Sequence, residues 1–199
     1  EFLDRISAFQ DKLFYITFPL LAINVTEALY DYKTRRVINF NNPATGTGRF
    51  DVENHAILIN QEPSWNYAAL NMTPPEGSVK SKYCSALIYK DTVQSNMTIL
   101  LSGTDNGIVY GNVPLQETEK LPNIFAGVRN YSKMYSNTKS YTITTDDGNW
   151  GTFFTYGQQM SNNSRTQMCV LGLDLTEDEY NVLRTAMIDF ANKIMEMSI

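Results

Sequence analysis

The stretch DDGNWGTFFTYGQQMSNNSRTQMCVLGLDLTEDEY, Asp146 to Tyr180, decides the fold that the sequence predicts. Its aromatic-rich segment GTFFTYGQQM and its apolar segment TQMCVLGLDL both favour β-strands. The polar segment SNNS between them predicts a turn. The segment that follows, Thr176 to Glu179, is a capping box, in which the threonine caps a helix start and the glutamate reaches back to it. The stretch therefore predicts two strands, a turn and the beginning of a helix.

Upstream of this stretch, the chain is rich in β-forming residues from Tyr83 onward. YCSALIYKD and NMTILLSGT predict a hairpin, and KSYTITT predicts a third strand. The segment ETEKLPNIFAGVRNYSKMYSN between them predicts one or two short helices. Residues 83–175 are thus expected to form two strands, a helical connection and three more strands. Residues 176–199 are expected to form a helix, because apolar residues recur four and three positions apart from Tyr180 to Met197.

The N-terminal part, residues 1–34, is predicted to be a long helix that Pro19 kinks or splits. Its apolar positions recur four and three apart and are Phe2, Ile6, Phe9, Leu13, Ile16, Leu20 and Ile23. This spacing suits packing against the helix's own domain or a seam between two copies, and both alternatives stay open. Residues 35–82 are expected to be an irregular or helical segment, in which HAILI is a short strand or a helical turn.

Composition excludes several classes of function. The 199 residues suit a single domain, and the net charge of −5 argues against a nucleic-acid partner. One histidine and two cysteines are poor material for a zinc site or a Cys/His enzyme, so no metal, cofactor or catalytic residue is predicted. Five Asn-x-Ser/Thr sequons fit an exported protein, although a chain this rich in Asn, Ser and Thr also produces them by chance. Both ends look cut from a longer protein.

The stretch from Gly148 to Tyr180 resembles the closing hairpin of extracytoplasmic Cache sensor domains, which are PAS-like. The matching residues are Trp150-Gly151, Tyr156 and the segment Val170 to Leu175, VLGLDL. The sequence departs from that pattern after Tyr156, where Gly157-Gln158 stands in place of the proline that is frequent there. The resemblance implies an α+β fold: a five-stranded antiparallel PAS-like sheet flanked by a long N-terminal helix and a C-terminal helix.

The resemblance also implies a site and a covalent link. A pocket on one face of the sheet would bind a small molecule, such as a carboxylate or an amino acid, through Tyr89, Tyr110, Arg129, Trp150 and Tyr156. In PAS-like sheets the first and fifth strands are neighbours, so Cys84 and Cys169 would lie close enough for a disulfide, the alternative being two buried free thiols.

The implied function is that of an extracytoplasmic sensor domain of a transmembrane receptor. Ligand binding would shift the fifth strand and, through it, the C-terminal helix. The domain itself would not be an enzyme, would dimerise through its helices and would reach the membrane through flanking segments. The alternative is a structural surface subunit such as a pilin-like protein.

Overall fold

The computed structural model describes residues 1–38, 40–41, 49–59, 68–71, 75–76, 78, 82–90, 96–102, 108–114, 123–130, 132–142, 153–156 and 164–197. Its α-helices are α1 (Phe2–Arg5), α2 (Val25–Ala28) and α3 (Glu177–Met197), and its 3-10 helices are Ser7–Lys12 and Pro19–Leu21. The strands are β1 (Leu13–Thr17), β2 (Tyr30–Asp31), β3 (Arg36–Val37), β4 (Phe40–Asn41), β5 (Arg49–Asp51), β6 (Ala56–Ile59), β7 (Ala68–Asn71), β8 (Tyr83–Lys90), β9 (Asn96–Ser102), β10 (Ile108–Pro114), β11 (Asn123–Arg129), β12 (Lys133–Tyr135), β13 (Ser140–Thr142), β14 (Phe153–Tyr156) and β15 (Ser164–Leu173). The fold is α+β.

The main antiparallel sheet has the strand order β13-β12-β11-β8-β15-β6-β5, and β1 is an eighth strand paired to β15. Strand β15 is long enough to pair with β8 along one edge and with both β6 and β1 along the other. Its neighbour β8 is buried at every position except Lys90, which explains the near-continuous apolar run in its sequence. The smaller sheets are β10-β9, β14-β7-β4 and β2-β3.

Helix α3 covers one face of the main sheet and confirms the predicted C-terminal helix over Glu177–Met197. The capping box forms as predicted: the Thr176 amide donates to a carboxylate oxygen of Glu179 at 2.7 Å, and the Glu179 amide donates to the Thr176 hydroxyl at 3.2 Å. The helix side chains buried in the core are Tyr180, Leu183, Ala186, Met187 and Ala191. They pack with side chains of β8, β11 and β15 and with the N-terminal segment.

The predicted N-terminal helix over residues 1–34 is wrong. Only Phe2–Arg5 and three short later pieces, Ser7–Lys12, Pro19–Leu21 and Val25–Ala28, are helical in this region. Leu13–Thr17 pairs with β15 as a strand. The four/three spacing misled because the segment LFYIT is almost entirely buried, so its apolar residues do not mark one helical face. Burial of both faces erases the periodicity that distinguishes a helix from a strand, and the edge of β15 supplies backbone partners for a strand.

The predicted helical connection between the second and third strands is also wrong. Asn123–Arg129 is a strand paired to β8, and Lys133–Tyr135 follows it in the same sheet. The predicted hairpins differ as well, since β9 pairs with β10, and β14 pairs with β7 rather than with β15. Five strands, β3 to β7, lie in the segment expected to be irregular or helical, where HAILI contributes β6. The described sheet therefore differs from the expected five-stranded arrangement.

Candidate functional site

Two of the predicted pocket residues, Tyr89 and Arg129, lie on opposite faces of the main sheet. Tyr89 lies on β8, fully buried on the sheet face opposite α3, and its hydroxyl has no hydrogen-bond partner among the described residues. Arg129 lies on the α3 face, so the sheet separates it from Tyr89. Tyr110 falls on β10 and Tyr156 on β14, in two smaller sheets, and Trp150 lies outside the described residues.

Arg129 is engaged within the protein. Its Nε donates to the Tyr135 hydroxyl at 3.1 Å, and its guanidinium lies 3.4 Å from the Glu177 carboxylate. Lys133 donates to the same carboxylate at 3.2 Å, and this hydrogen bond lowers the pKa of Glu177. These contacts fasten the first turn of α3 to strands β11 and β12, and they give Arg129 an internal carboxylate partner.

The two cysteines lie on neighbouring strands, as predicted, but they form no disulfide. Cys84 pairs with Gly172 and Cys169 pairs with Leu87, so the two cysteines are an odd number of positions apart in the ladder. Because successive strand residues point to opposite faces, Cys84 faces α3 and Cys169 faces away from it. Both thiols are buried, and burial raises the pKa of the Cys84 thiol.

The described residues form a surface pocket at a place the sequence did not predict. Its volume is about 290 Å³. We call it the aromatic pocket, and its lining consists of Phe18, Leu21, Ala22, Thr26, Glu27, Tyr30, Tyr32 and Val37. These residues come from the Pro19–Leu21 turn, from α2 and from the β2–β3 hairpin, which all follow β1 in the chain. The pocket is therefore built beside the strand that adds to the edge of β15.

Local capping interactions shape two walls of the aromatic pocket. The Asn24 side chain accepts from the Glu27 amide at 3.0 Å and so starts α2. The Glu27 carboxylate accepts from the Ile23 amide at 3.0 Å and from the Asn24 side chain at 2.9 Å. These bonds hold the Glu27 side chain in the lining while each carboxylate oxygen retains a further acceptor site.

The third wall is the β2–β3 hairpin, which a buried carboxylate holds in shape. Asp31 is completely buried and accepts from the amides of Ile16 at 2.9 Å, Lys33 at 3.0 Å and Thr34 at 3.2 Å. It also accepts from the Thr34 hydroxyl at 2.6 Å. Asp31 thereby ties the hairpin turn to β1. Its two sequence neighbours, Tyr30 and Tyr32, contact each other and both line the aromatic pocket.

Three aromatic rings form the apolar part of the pocket. The ring centroid of Tyr32 lies 4.9 Å from Phe18 and 5.1 Å from Tyr30, both in edge-to-face geometry. Phe18 is buried beneath, whereas Tyr32 is 45% exposed, so a ring surface is accessible from solvent. Glu27 is the one carboxylate among the described residues of the lining. The site can therefore offer an aromatic face, hydroxyl groups and a hydrogen-bond-accepting carboxylate to a bound molecule.

Sequence reasoning missed this pocket because residues 18–34 were assigned to a helix. Two local signals pointed elsewhere. Asn24 and Glu27 have the spacing of a capping box, which marks a helix start in the middle of the supposed helix. Tyr30-Asp31-Tyr32 alternates aromatic and polar residues, which favours a strand.

No protein-family model and no curated protein sequence matches this chain. Among solved structures, it is similar to the binding domain of botulinum neurotoxin serotype D, with a TM-score of 0.58 and 10% identity over 92% of this chain and 53% of that one. It is also similar to the binding domain of botulinum neurotoxin DC in complex with SialylT, with a TM-score of 0.54 and 9% identity over 89% of this chain and 52% of that one. The same domain in complex with rat synaptotagmin II gives a TM-score of 0.55 and 8% identity, with the same two coverages of 89% and 52%.

This chain spans about half the length of those binding domains. At such low identity the likeness concerns the fold alone, and the Cache resemblance of the sequence stays a prediction. The comparisons place the chain with a β-rich fold found in toxin binding domains.

Proposed function

We propose that this chain is a binding domain, not an enzyme, and that it holds a sugar ligand in the aromatic pocket. The observation that carries the proposal is the half-exposed Tyr32 ring, which stands against Phe18 and Tyr30 in the same lining as the Glu27 carboxylate. A sugar has a nonpolar C–H face that can lie on an aromatic ring. Its hydroxyls can donate charge-assisted hydrogen bonds to a carboxylate.

The charge of the lining argues for a neutral ligand. Glu27 would repel the carboxylate of an organic acid or an amino acid, the ligand classes that the sequence suggested. A pocket of about 290 Å³ accommodates a ligand of one or two sugar rings. The binding domain of botulinum neurotoxin DC, whose structure in complex with SialylT has a similar fold, supports a binding role for this chain but does not identify its ligand.

The proposal is tested by screening the chain on a glycan array and measuring the affinity of each hit by calorimetry. Tyr32→Ala should weaken binding by about fivefold or more, because an aromatic contact contributes on the order of 1 kcal/mol beyond its buried area. Glu27→Gln should weaken it as well, since the hydrogen bonds lose their charge assistance. Val182→Ala, at an exposed valine on α3, is the control and should bind as the native chain does. Absence of any glycan binding, or equal loss in the control, would contradict the proposal.

A second candidate is the sensor function implied by the sequence resemblance. The observation that favours it is the double contact of Phe18, which lines the aromatic pocket and also lies 5.7 Å, ring to ring, from Phe190 on α3. A ligand that moved Phe18 would thus shift the position of α3. The size of that shift is limited by the difference in the ligand's affinity for the two conformations of the chain. The extracytoplasmic location, dimerisation through helices and membrane attachment through flanking segments belong to this candidate.

The sensor candidate is tested by NMR with the glycan that binds most tightly. Chemical shifts of amides around Phe190 should change on binding, and Phe190→Ala should abolish those changes while leaving affinity within a few fold. Shifts confined to the pocket would leave the domain as a binding module without transmission. The pilin-like alternative predicts assembly into filaments, which electron microscopy of the purified chain would reveal.

A further inference from the structure

The face of the main sheet that points away from α3 carries buried polar side chains. Successive residues of β8 alternate between the two faces, and Ala86 and Ile88 pack in the core that contains α3. The residues between them, and the residues opposite these in the ladders, therefore point the other way. A buried hydroxyl costs free energy unless it is hydrogen-bonded. The hydroxyl-bearing residues on this face, each at most 2% exposed, include Tyr83, Ser85, Tyr89 and Thr166.

Two of these hydroxyl-bearing residues are neighbours across the ladder. Tyr89 and Thr166 lie directly opposite each other in the antiparallel pair of β8 and β15. Their side chains therefore leave the same face of the sheet, with Cβ atoms about 5 Å apart. Neither hydroxyl has a hydrogen-bond partner among the residues that the structure describes. Burial raises the pKa of Tyr89, so its phenol keeps its proton and can both donate and accept a hydrogen bond.

The strand pairing of β15 is interrupted beside Thr166. One edge of β15 pairs with β6 as far as Thr166 and with β1 from Cys169 onward. On the other edge, the register with β8 shifts between Thr166 and Met168, which makes Gln167 the extra residue of a β-bulge. A bulge takes backbone polar groups out of the regular ladder. The bulge thus adds backbone donors and acceptors near the two hydroxyls.

We propose that the interior beside this bulge binds ordered water, which is hydrogen-bonded to the hydroxyls of Tyr89 and Thr166. We call this place the bulge site. A buried water molecule makes about three hydrogen bonds to polar groups that otherwise have no partner. Each hydroxyl offers one donor and two accepting lone pairs, so water can pair with both groups. Bound water would remove the free-energy cost of leaving these two hydroxyls buried and unpaired.

The chemistry of the bulge site selects a small neutral ligand. Neither Tyr89 nor Thr166 carries a charge, so they would not replace the hydration shell of an ion with an opposite charge. Both side chains are 0% exposed, in contrast to the solvent-accessible Tyr32 ring of the aromatic pocket. A dry interior is the alternative to bound water. The two alternatives differ in sign, because removal of a hydroxyl breaks a hydrogen bond to water but relieves a dry interior of an unpaired polar group.

Water at the bulge site can be observed directly in the native chain. A high-resolution crystal structure should show a water oxygen about 2.7–2.8 Å from each of the two hydroxyls. In solution, magnetic relaxation dispersion of the water oxygen nucleus measures long-lived internal water. Tyr89→Phe/Thr166→Val should lose the contribution of at least one water molecule. The matched control, Tyr32→Phe/Thr185→Val, removes the same groups at exposed positions and should keep the native dispersion.

Stability gives an independent test. Tyr89→Phe should raise the equilibrium constant of unfolding about fivefold in urea denaturation, because a hydrogen bond to the bound water is lost. Thr166→Ser keeps a hydroxyl and should retain the dispersion that Thr166→Val reduces. A crystal structure with no water at either hydroxyl, an unchanged dispersion in the double variant, or a more stable Tyr89→Phe chain would overturn the proposal. Neither residue lines the aromatic pocket, so this proposal and glycan binding can fail separately.

Discussion

The hydroxyl of Tyr180 donates a hydrogen bond of 2.5 Å to the backbone carbonyl of Ser85, directly across Gly127. Tyr180 lies in the first turns of α3, Ser85 on β8 and Gly127 on the neighbouring strand β11. The bond fixes how close the helix sits to the sheet. Gly127 makes it possible, because any side chain there would occupy the path of the Tyr180 hydroxyl.

Gly127→Ala should destabilise the fold. An added Cβ would collide with the Tyr180 hydroxyl and lie 2.5 Å from the Ser85 carbonyl oxygen, so the helix must move away from the sheet. Overpacking of this kind costs about 1–3 kcal/mol of unfolding free energy, which urea denaturation would measure. Adding Tyr180→Phe to Gly127→Ala should recover part of the loss, since the hydroxyl is one of the two obstacles. If the two losses simply add, the proposed contact is wrong.

Asp31→Asn should weaken both the fold and the aromatic pocket. An asparagine side chain has one acceptor oxygen in place of two, so some of the donors from Ile16, Lys33 and Thr34 lose their partner inside the protein. Unpaired buried donors cost about 1–3 kcal/mol, again measured by urea denaturation. Asp189→Asn, at an exposed position on α3, is the matched control and should stay within about 0.5 kcal/mol of the native chain.

Thr176→Ala should remove the helix cap of α3. Loss of an N-cap hydroxyl costs about 1 kcal/mol, and here the Glu179 amide would lose its acceptor. Thr185→Ala, at an exposed threonine further along α3, serves as the control, because it removes a hydroxyl that makes no cap. Comparable losses in both variants would show that the box does not stabilise the helix start.

Stability should fall in acid partly through Glu179. Burial alone would raise its pKa, but hydrogen bonds from Lys12 and from Thr176 outweigh burial and lower the pKa. A pKa lower in the folded than in the unfolded state adds stability above the unfolded value of about 4.3, and this stability disappears as pH falls through the folded value. Lys12→Gln should make the free energy of unfolding depend less on pH in that range. If urea denaturation at several pH values shows the same loss of stability in acid for this variant and for the native chain, the assignment to Glu179 is wrong.

The cysteines should behave as two buried thiols. A thiol reagent should react slowly with the native chain, because burial shields both thiols and raises the pKa of the Cys84 thiol. After unfolding, the same reagent should react rapidly with both Cys84 and Cys169. Intact mass after mild oxidation should equal that of the reduced chain. A mass lower by two hydrogen atoms would mean that the strand register places both thiols on one face.

The sequence predicted the elements whose signals are local. The helix over Glu177–Met197 has a capping box and an apolar stripe, so four consecutive residues are enough to predict where it starts. The strands containing Cys84 and Cys169 were recognised from β-rich runs, and their adjacency also proved right. The two cysteines form no disulfide because the strand register puts them on opposite faces of the sheet. A slip of one residue would put them on the same face, and no local sequence pattern specifies the register.

Tertiary structure decided the rest. Leu13–Thr17 became a strand because the long β15 offers an open edge, and Asn123–Arg129 became one because it lies between β8 and β12 with most of its length buried. Such segments are apolar on both faces, so periodicity cannot distinguish a helix from a strand there. The aromatic pocket arises at the junction that these pairings create. The sequence alone determined the closing helix and the central pair of strands. The N-terminal strand and the pocket beside it depended on which strand edges were free to pair, and this is a non-local property of the folded chain.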